Sequence, residues 1–160
     1  METRYPSDPY DRIWDSDKNF SPSRVSSGFK VKLSFNRSGT IKESPPPGVL
    51  QTARVLAKRE VLTYNLPLDT LGDYYIILYF AGILPAFPSF DVIINGDVLQ
   101  SNFTVKTSEA SALYFTRKAI RRLNITLKST SFYPQVNAIE VYEIVDIPSE
   151  VSSTTGNSIV

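Results

Sequence analysis

Apolar and polar residues alternate along most of this chain. In Val31-Lys32-Leu33-Ser34-Phe35-Asn36, and again in Leu123-Asn124-Ile125-Thr126-Leu127, every second residue is apolar. A strand points successive side chains to opposite faces, so a period of two predicts strands with one wet face. Runs rich in Val, Ile, Tyr and Phe fall at residues 29–35, 49–56, 61–66, 74–80, 90–94, 97–100, 112–117, 122–128 and 137–145, separated by turn residues. Asn95-Gly96 between two runs predicts a type I′ hairpin, which needs positive φ at both positions. Pro45-Pro46-Pro47-Gly48 reads as a loop, since proline cannot serve inside a ladder. No long helical pattern occurs. The expected fold is all-β: two antiparallel sheets packed face to face, with residues 74–80 and 137–145 in the core.

The longest apolar stretch, residues 74–87, is shorter than a membrane span and carries Gly82 and Pro85, so it reads as a buried strand running into a loop. Residues 1–28, with Pro6, Pro9 and Pro22, read as an extended leading segment. Residues 29–148 form the sandwich, and 149–160, rich in Ser and Thr, a flexible tail.

Composition narrows the chemistry. The 160 residues include no histidine and no cysteine, which removes imidazole bases, His-metal sites, thiolate nucleophiles and disulfides. A net charge of +1 gives no reason to expect nucleic acid or an anionic membrane as partner. Four of the eight asparagines open N-glycosylation sequons: Asn19, Asn36, Asn102 and Asn124. The last three fall on polar strand positions and are expected to face water, which suggests a secreted glycoprotein. The first residues, Met1-Glu2-Thr3-Arg4-Tyr5-Pro6, lack the apolar core of a signal peptide, so an extracellular domain is expected here as part of a longer protein.

Candidate catalytic and metal sites are sparse. Asp8, Asp11, Asp15 and Asp17 could offer oxygen ligands to calcium, but they lack EF-hand spacing and read as solvated turn residues. Arg117, Lys118, Arg121 and Arg122 could receive an acidic partner, or form a solvated turn. The aromatics of residues 74–80 could stack on sugars, but alternate burial favours core packing. Asp91 and Glu140, a conceivable acid–base pair, both lie mid-strand on an outward parity with nothing to bring them together. The sequence therefore assigns no catalytic residue, metal or cofactor, and no enzymatic role.

Four stretches carry a family resemblance. Arg4-Tyr5-Pro6-Ser7-Asp8-Pro9-Tyr10-Asp11-Arg12-Ile13-Trp14 resembles the segment joining the two halves of malectin-like ectodomains in plant receptor-like kinases. Val49-Leu50-Gln51-Thr52-Ala53 resembles that family's VMQTA strand. Asp73-Tyr74-Tyr75-Ile76-Ile77-Leu78-Tyr79-Phe80-Ala81, with Phe90-Asp91-Val92-Ile93-Ile94-Asn95-Gly96, resembles its central strand pair. The closing run Asn137-Ala138-Ile139-Glu140-Val141-Tyr142-Glu143-Ile144-Val145-Asp146-Ile147-Pro148 resembles the strand after which leucine-rich repeats usually begin. The resemblance implies a jelly-roll β-sandwich, a cell-surface setting as part of a receptor ectodomain, and the second of two modules joined by an inter-module linker.

The departures bear on the ligand. Animal malectin binds a glucosylated glycan through aromatics, and the matching positions here are Leu50, Val55, Leu84 and Pro85, with Phe132 or Tyr133 near its sugar-contacting aspartate. An aromatic-plus-carboxylate cradle is not preserved. The expected role is a non-catalytic module that recognises a protein, a peptide or its sister module. Leu84, Pro85, Phe87, Phe132 and Tyr133 are the candidate ligand-binding residues. The alternative is a carbohydrate-binding module for cell-wall or glycan sugars.

Overall fold

A computed structural model of the chain describes residues 2–6, 8–20, 26–32, 34–56 and 61–146. The tail expected over 149–160 lies outside them. In chain order the elements are β1 (Thr3–Arg4), β2 (Ile13–Trp14), a 3-10 turn (Asp17–Asn19), β3 (Ser26–Lys30), β4 (Asn36–Arg37), α1 (Pro47–Leu50), β5 (Thr52–Leu56), β6 (Val61–Ala81), β7 (Ser89–Ile94), β8 (Asp97–Thr104), β9 (Glu109–Ser131), β10 (Gln135–Val136) and β11 (Ala138–Ile144).

Strands β6 and β9 are the spine. They pair antiparallel from Val61↔Lys128 to Ala81↔Ala110, with register irregularities between Pro67 and Tyr74. Sequence reading splits each of them into two strands; the structure shows one continuous strand in each case. Pro67 has no N–H to give a ladder. Around the bend the Asp73 carboxylate accepts the Ala119 N–H (2.8 Å), and Ala119 takes a positive φ. The chain turns there without leaving the sheet, as bulges allow.

The bend folds the sheet onto itself. Strand order is β11-β6-β9-β7-β8. The late half of β6 pairs with β11 and the early half of β9; the late half of β9 pairs with β7. Phe80 on β6 and Phe90 on β7 are not sheet neighbours, yet their rings lie 5.5 Å apart. The two leaves therefore face each other across Ile76, Leu78, Phe80, Phe90, Val92 and Ile94, all fully buried. Burial of each such side chain contributes about 1.5–3 kcal/mol. A separate sheet, β10-β5-β3, adds Leu56 and Val136 to the same core. This is the all-β, two-leaved antiparallel sandwich expected; among the described strands β4 runs parallel to its partner β9.

Residues 74–80 are buried on both faces, as predicted. Ile76, Leu78 and Phe80 face the main core, while Ile77 and Tyr79 face a second cluster with Leu50, Ala110 and Ala112. Residues 137–145 are a correction. Strand β11 is at the sheet edge, Ile139 and Val141 only partly buried, and Tyr142, Ile144 and Val145 exposed, because an edge strand has neighbours on one side alone. The run 49–56 also opens as the helical turn α1, with Pro47 at its first position, where a missing N–H costs nothing. The strand expected over 29–35 is instead Ser26–Lys30, paired with β5. The hairpin forms as read: Asn95 has φ 50° and Gly96 φ 87°.

Candidate functional site

Three of the five candidate contact residues lie beyond one end of the β7–β9 ladder. That ladder closes at Ser89↔Ser131, so Phe87 on one strand and Phe132 and Tyr133 on the other extend past the same end. All three stand out: Phe87 is 56% exposed, and Phe132 and Tyr133 each 43%. Pro85 is exposed as well, but Leu84 is half-buried against Ala53, Val55 and Ile83, which makes it a support of the rim more than a contact. The loop is stapled. Val105 N–H donates to the Pro88 carbonyl (2.9 Å), Thr107 Oγ1 to the Leu84 carbonyl (3.2 Å), and Ser129 Oγ to the Phe132 carbonyl (2.6 Å). Gly82 allows this approach, since a Cβ there would lie 2.1 Å from the Lys106 carbonyl oxygen. Three apolar faces on a stiff rim suit docking against an apolar partner surface.

A second feature comes from the leading segment. Arg12 lies across the outer side of the β11–β6 leaf. Its guanidinium pairs with Asp8 (Nε–Oδ2 2.9 Å) and Glu140 (Nη1–Oε1 3.1 Å) and donates to the Ser44 carbonyl (3.1 Å). The rings of Tyr10 and Trp14 lie 5.1 Å from it, a cation–π arrangement. Glu140 also accepts from the hydroxyls of Tyr79 (2.5 Å) and Tyr142 (2.7 Å). Trp14 packs edge-on to Tyr79 and donates its indole N–H to Asp8 (3.2 Å). Further along, Asp17 is held by Arg54 (Nε–Oδ2 2.7 Å) and by the Tyr64 hydroxyl (2.9 Å). Between this strap and β5, β10 and β11 runs an open groove of about 740 Å³, with Trp14, Phe20, Tyr64 and Tyr142 among its walls.

The electrostatics follow from these contacts. Burial opposes ionisation of Asp8, but the Arg12 guanidinium, the Tyr10 N–H and the Trp14 indole outweigh it and hold its pKa below the ordinary value. Asp17 behaves alike: burial raises, Arg54 and Tyr64 lower, and the net shift is down. Burial, then the adjacent Glu140 carboxylate, pushes the Tyr79 and Tyr142 hydroxyls up, so both stay protonated donors.

These contacts revise several expectations. Asp8 and Asp17 are paired anchors, where the sequence suggested solvated turn residues. Glu140 is buried although its parity points outward, because the strap covers that side. Asp91, on the other leaf, accepts the Asn102 N–H (2.8 Å) and is nowhere near Glu140. Arg117 pairs with Asp97, leaving Lys118, Arg121 and Arg122 as the exposed part of the basic patch. No group of acidic residues among those described could hold a metal ion. Asn19, Asn36 and Asn102 are exposed. Asn124 lies on the outer side but is half-buried, its amide donating to Asn65 Oδ1 (2.7 Å). Leu50 and Val55, at the positions of malectin's aromatics, are buried in the packing. Sequence reading missed Arg12, Arg54 and Phe20. The signal was available: two carboxylates, an arginine and a tryptophan within seven residues are not linker composition.

Comparison with known proteins agrees with this geometry. The family described as Malectin-like domain matches residues 1–144. Two leucine-rich repeat receptor-like serine/threonine-protein kinases of Arabidopsis thaliana are 30% and 29% identical, over 96% and 94% of this chain and 18% of their own length. The ANX1 ectodomain from Arabidopsis thaliana superposes with a TM-score of 0.76 at 14% identity, over 88% of this chain and 45% of that one. A structure of the plant peptide RALF23 in complex with FER and LLG2 gives 0.72 at 14% identity, over 89% and 46%. The chain thus spans about a fifth of the length of the kinases it matches. No helix among the described residues is long and apolar enough to cross a membrane.

Proposed function

The chain belongs to the malectin-like domain family, and we propose that it is a non-catalytic recognition module of a plant receptor ectodomain, binding a protein or peptide partner or its sister module. The observation that carries this is the rim, where Phe87, Phe132 and Tyr133 stand exposed beyond one ladder end, on two segments tied down by the Val105–Pro88 backbone bond and by the Thr107 and Ser129 hydroxyls. Exposed aromatics on a rigid base supply contact area at little entropic cost. One solved structure of this fold is a complex of the peptide RALF23 with FER and LLG2, which supports a peptide or protein as the ligand class. The proposed setting is extracellular, with glycans on Asn19, Asn36, Asn102 and Asn124.

A carbohydrate ligand at the rim is not favoured. Sugar rings need flat aromatic faces together with replacement partners for their hydroxyls. Phe87, Phe132 and Tyr133 supply the faces, but the Thr107 and Ser129 hydroxyls beside them already donate to the Leu84 and Phe132 carbonyls, and Leu50 and Val55 are buried. The test is a display screen of secreted plant peptides and proteins against the intact domain, repeated with Phe87→Ser, Phe132→Ser and Tyr133→Ser combined. The expected result is a specific binder lost in the triple variant at an unchanged melting temperature. Binders that ignore the triple variant would remove the rim from the account.

A further inference from the structure

Strand β11 pairs with β6 on one side, and no strand among the described residues pairs with its other side. Strand β2, in the strap, pairs among the described residues with β1 alone. The 740 Å³ groove lies between them. Residues 138–142 all line it in succession, odd and even alike. A groove over one face would touch alternate residues, so this one runs along the open backbone edge of β11. Its two walls differ. Arg12, Trp14 and Tyr142 stand on the strap side; Phe20, Leu66 and Val136 form an apolar wall on the core side. The charged lining residues balance in sign, Arg12, Lys30 and Arg54 against Asp15, Asp17 and Glu140, with Arg12 paired to Glu140 and Arg54 to Asp17, so the lining makes no demand for a charged ligand.

We propose that this slot receives one extended peptide segment of a partner, which adds to β11 as a strand. Its main chain pairs with the open edge. Its apolar side chains, at alternate positions, enter toward Phe20, Leu66 and Val136, and uncharged polar side chains between them meet Ser16, Tyr142 and the Asp17–Arg54 pair. Main-chain pairing supplies affinity and the alternating walls supply selectivity. A single strand fits where a second copy of this domain does not. The strap, held to β11 by the Arg12–Glu140 pair, forms the far wall of a groove of about 740 Å³, room for one strand and not for a second domain. The site shares with the function proposed above only the premise of peptide or protein recognition, since its residues are not those of the rim.

The probe is a capped synthetic peptide, Lys-Thr-Val-Thr-Val-Thr-Val-Thr-Lys, added to the whole chain. Amide hydrogen exchange should slow in β11 on titration. Two N-methylated versions, blocking the amides of one peptide edge or of the other, should differ in affinity by about tenfold or more. Phe20→Ala should weaken binding, and Phe87→Ser should leave it unchanged. Should Phe20→Ala unfold the domain, the N-methyl comparison on unaltered protein still decides. Unchanged exchange in β11 at saturating peptide, equal binding of the two N-methylated versions, or loss of binding with Phe87→Ser would overturn the proposal. If the rim variants abolish partner binding while this peptide never binds, the slot falls and the rim function stands.

Discussion

Replacing Arg12 by Met should detach the strap and destabilise the domain, because the guanidinium is the one cation between two buried carboxylates. The Asp8 side chain is inaccessible and that of Glu140 nearly so. Breaking a buried pair by removing one partner costs about 3–5 kcal/mol, since it leaves uncompensated charge. Two features temper the loss. Glu140 keeps the Tyr79 and Tyr142 hydroxyls, and Asp8 keeps the Tyr10 N–H and the Trp14 indole. The lower end, about 3 kcal/mol, is therefore expected, which for a domain of this size lowers the melting temperature by roughly 6–12 °C. The chain has a single tryptophan, Trp14, seated in the strap against Tyr79, so its fluorescence reports docking while circular dichroism reports the sheet. In R12M the fluorescence transition should precede the sheet transition. Adding Asp8→Asn and Glu140→Gln should restore part of the loss, because neutral amides leave no buried charge. A shift under about 2 °C in R12M, or no recovery in the triple variant, would show that Arg12 does not hold the strap.

Further outcomes follow from other contacts. Asp8 and Asp17 have depressed pKa values, so their contribution is present above the unfolded-state carboxylate value, near 3.8, and is lost as pH falls through the folded one. Acid titration of stability should steepen below about pH 4, and Asp17→Asn should cost about 1–3 kcal/mol at neutral pH with a smaller difference in acid. Gly82→Ala places a methyl against the Lys106 carbonyl and should cost about 1–3 kcal/mol, measured by urea unfolding. Expression in a eukaryotic secretory host followed by glycopeptide mapping should find Asn36 and Asn102 occupied; the same mass before and after deglycosylation would contradict this.

The strands were legible because burial on one face writes a period of two into the sequence, and the Asn95-Gly96 turn because only such residues accept both positive φ values. Continuity was not. Residues 61–66 and 74–80 read as separate strands, whereas they form one strand with a shifted register at the bend, where the Asp73 carboxylate accepts the Ala119 N–H. Parity told which way Glu140 points but not that the strap covers it, since coverage depends on a segment 128 residues away. The rim was readable in part. Phe87, Phe132 and Tyr133 are exposed as their loop positions suggest, while Leu84 is half-buried under a loop whose closure depends on Thr107. The groove was invisible in the sequence, because no local pattern records which strand becomes an edge.

The exposed aromatic rim is proposed to recognise protein or peptide and not to serve as a sugar cradle. The most direct measurement is calorimetry on the intact domain, titrated with hits from a glycan array and from a secreted-peptide screen, before and after the combined Phe87→Ser, Phe132→Ser and Tyr133→Ser substitutions. Peptide or protein binding that the substitutions abolish is expected, with no glycan of comparable affinity. Tight binding of a defined glycan, lost with the same substitutions, would contradict that expectation.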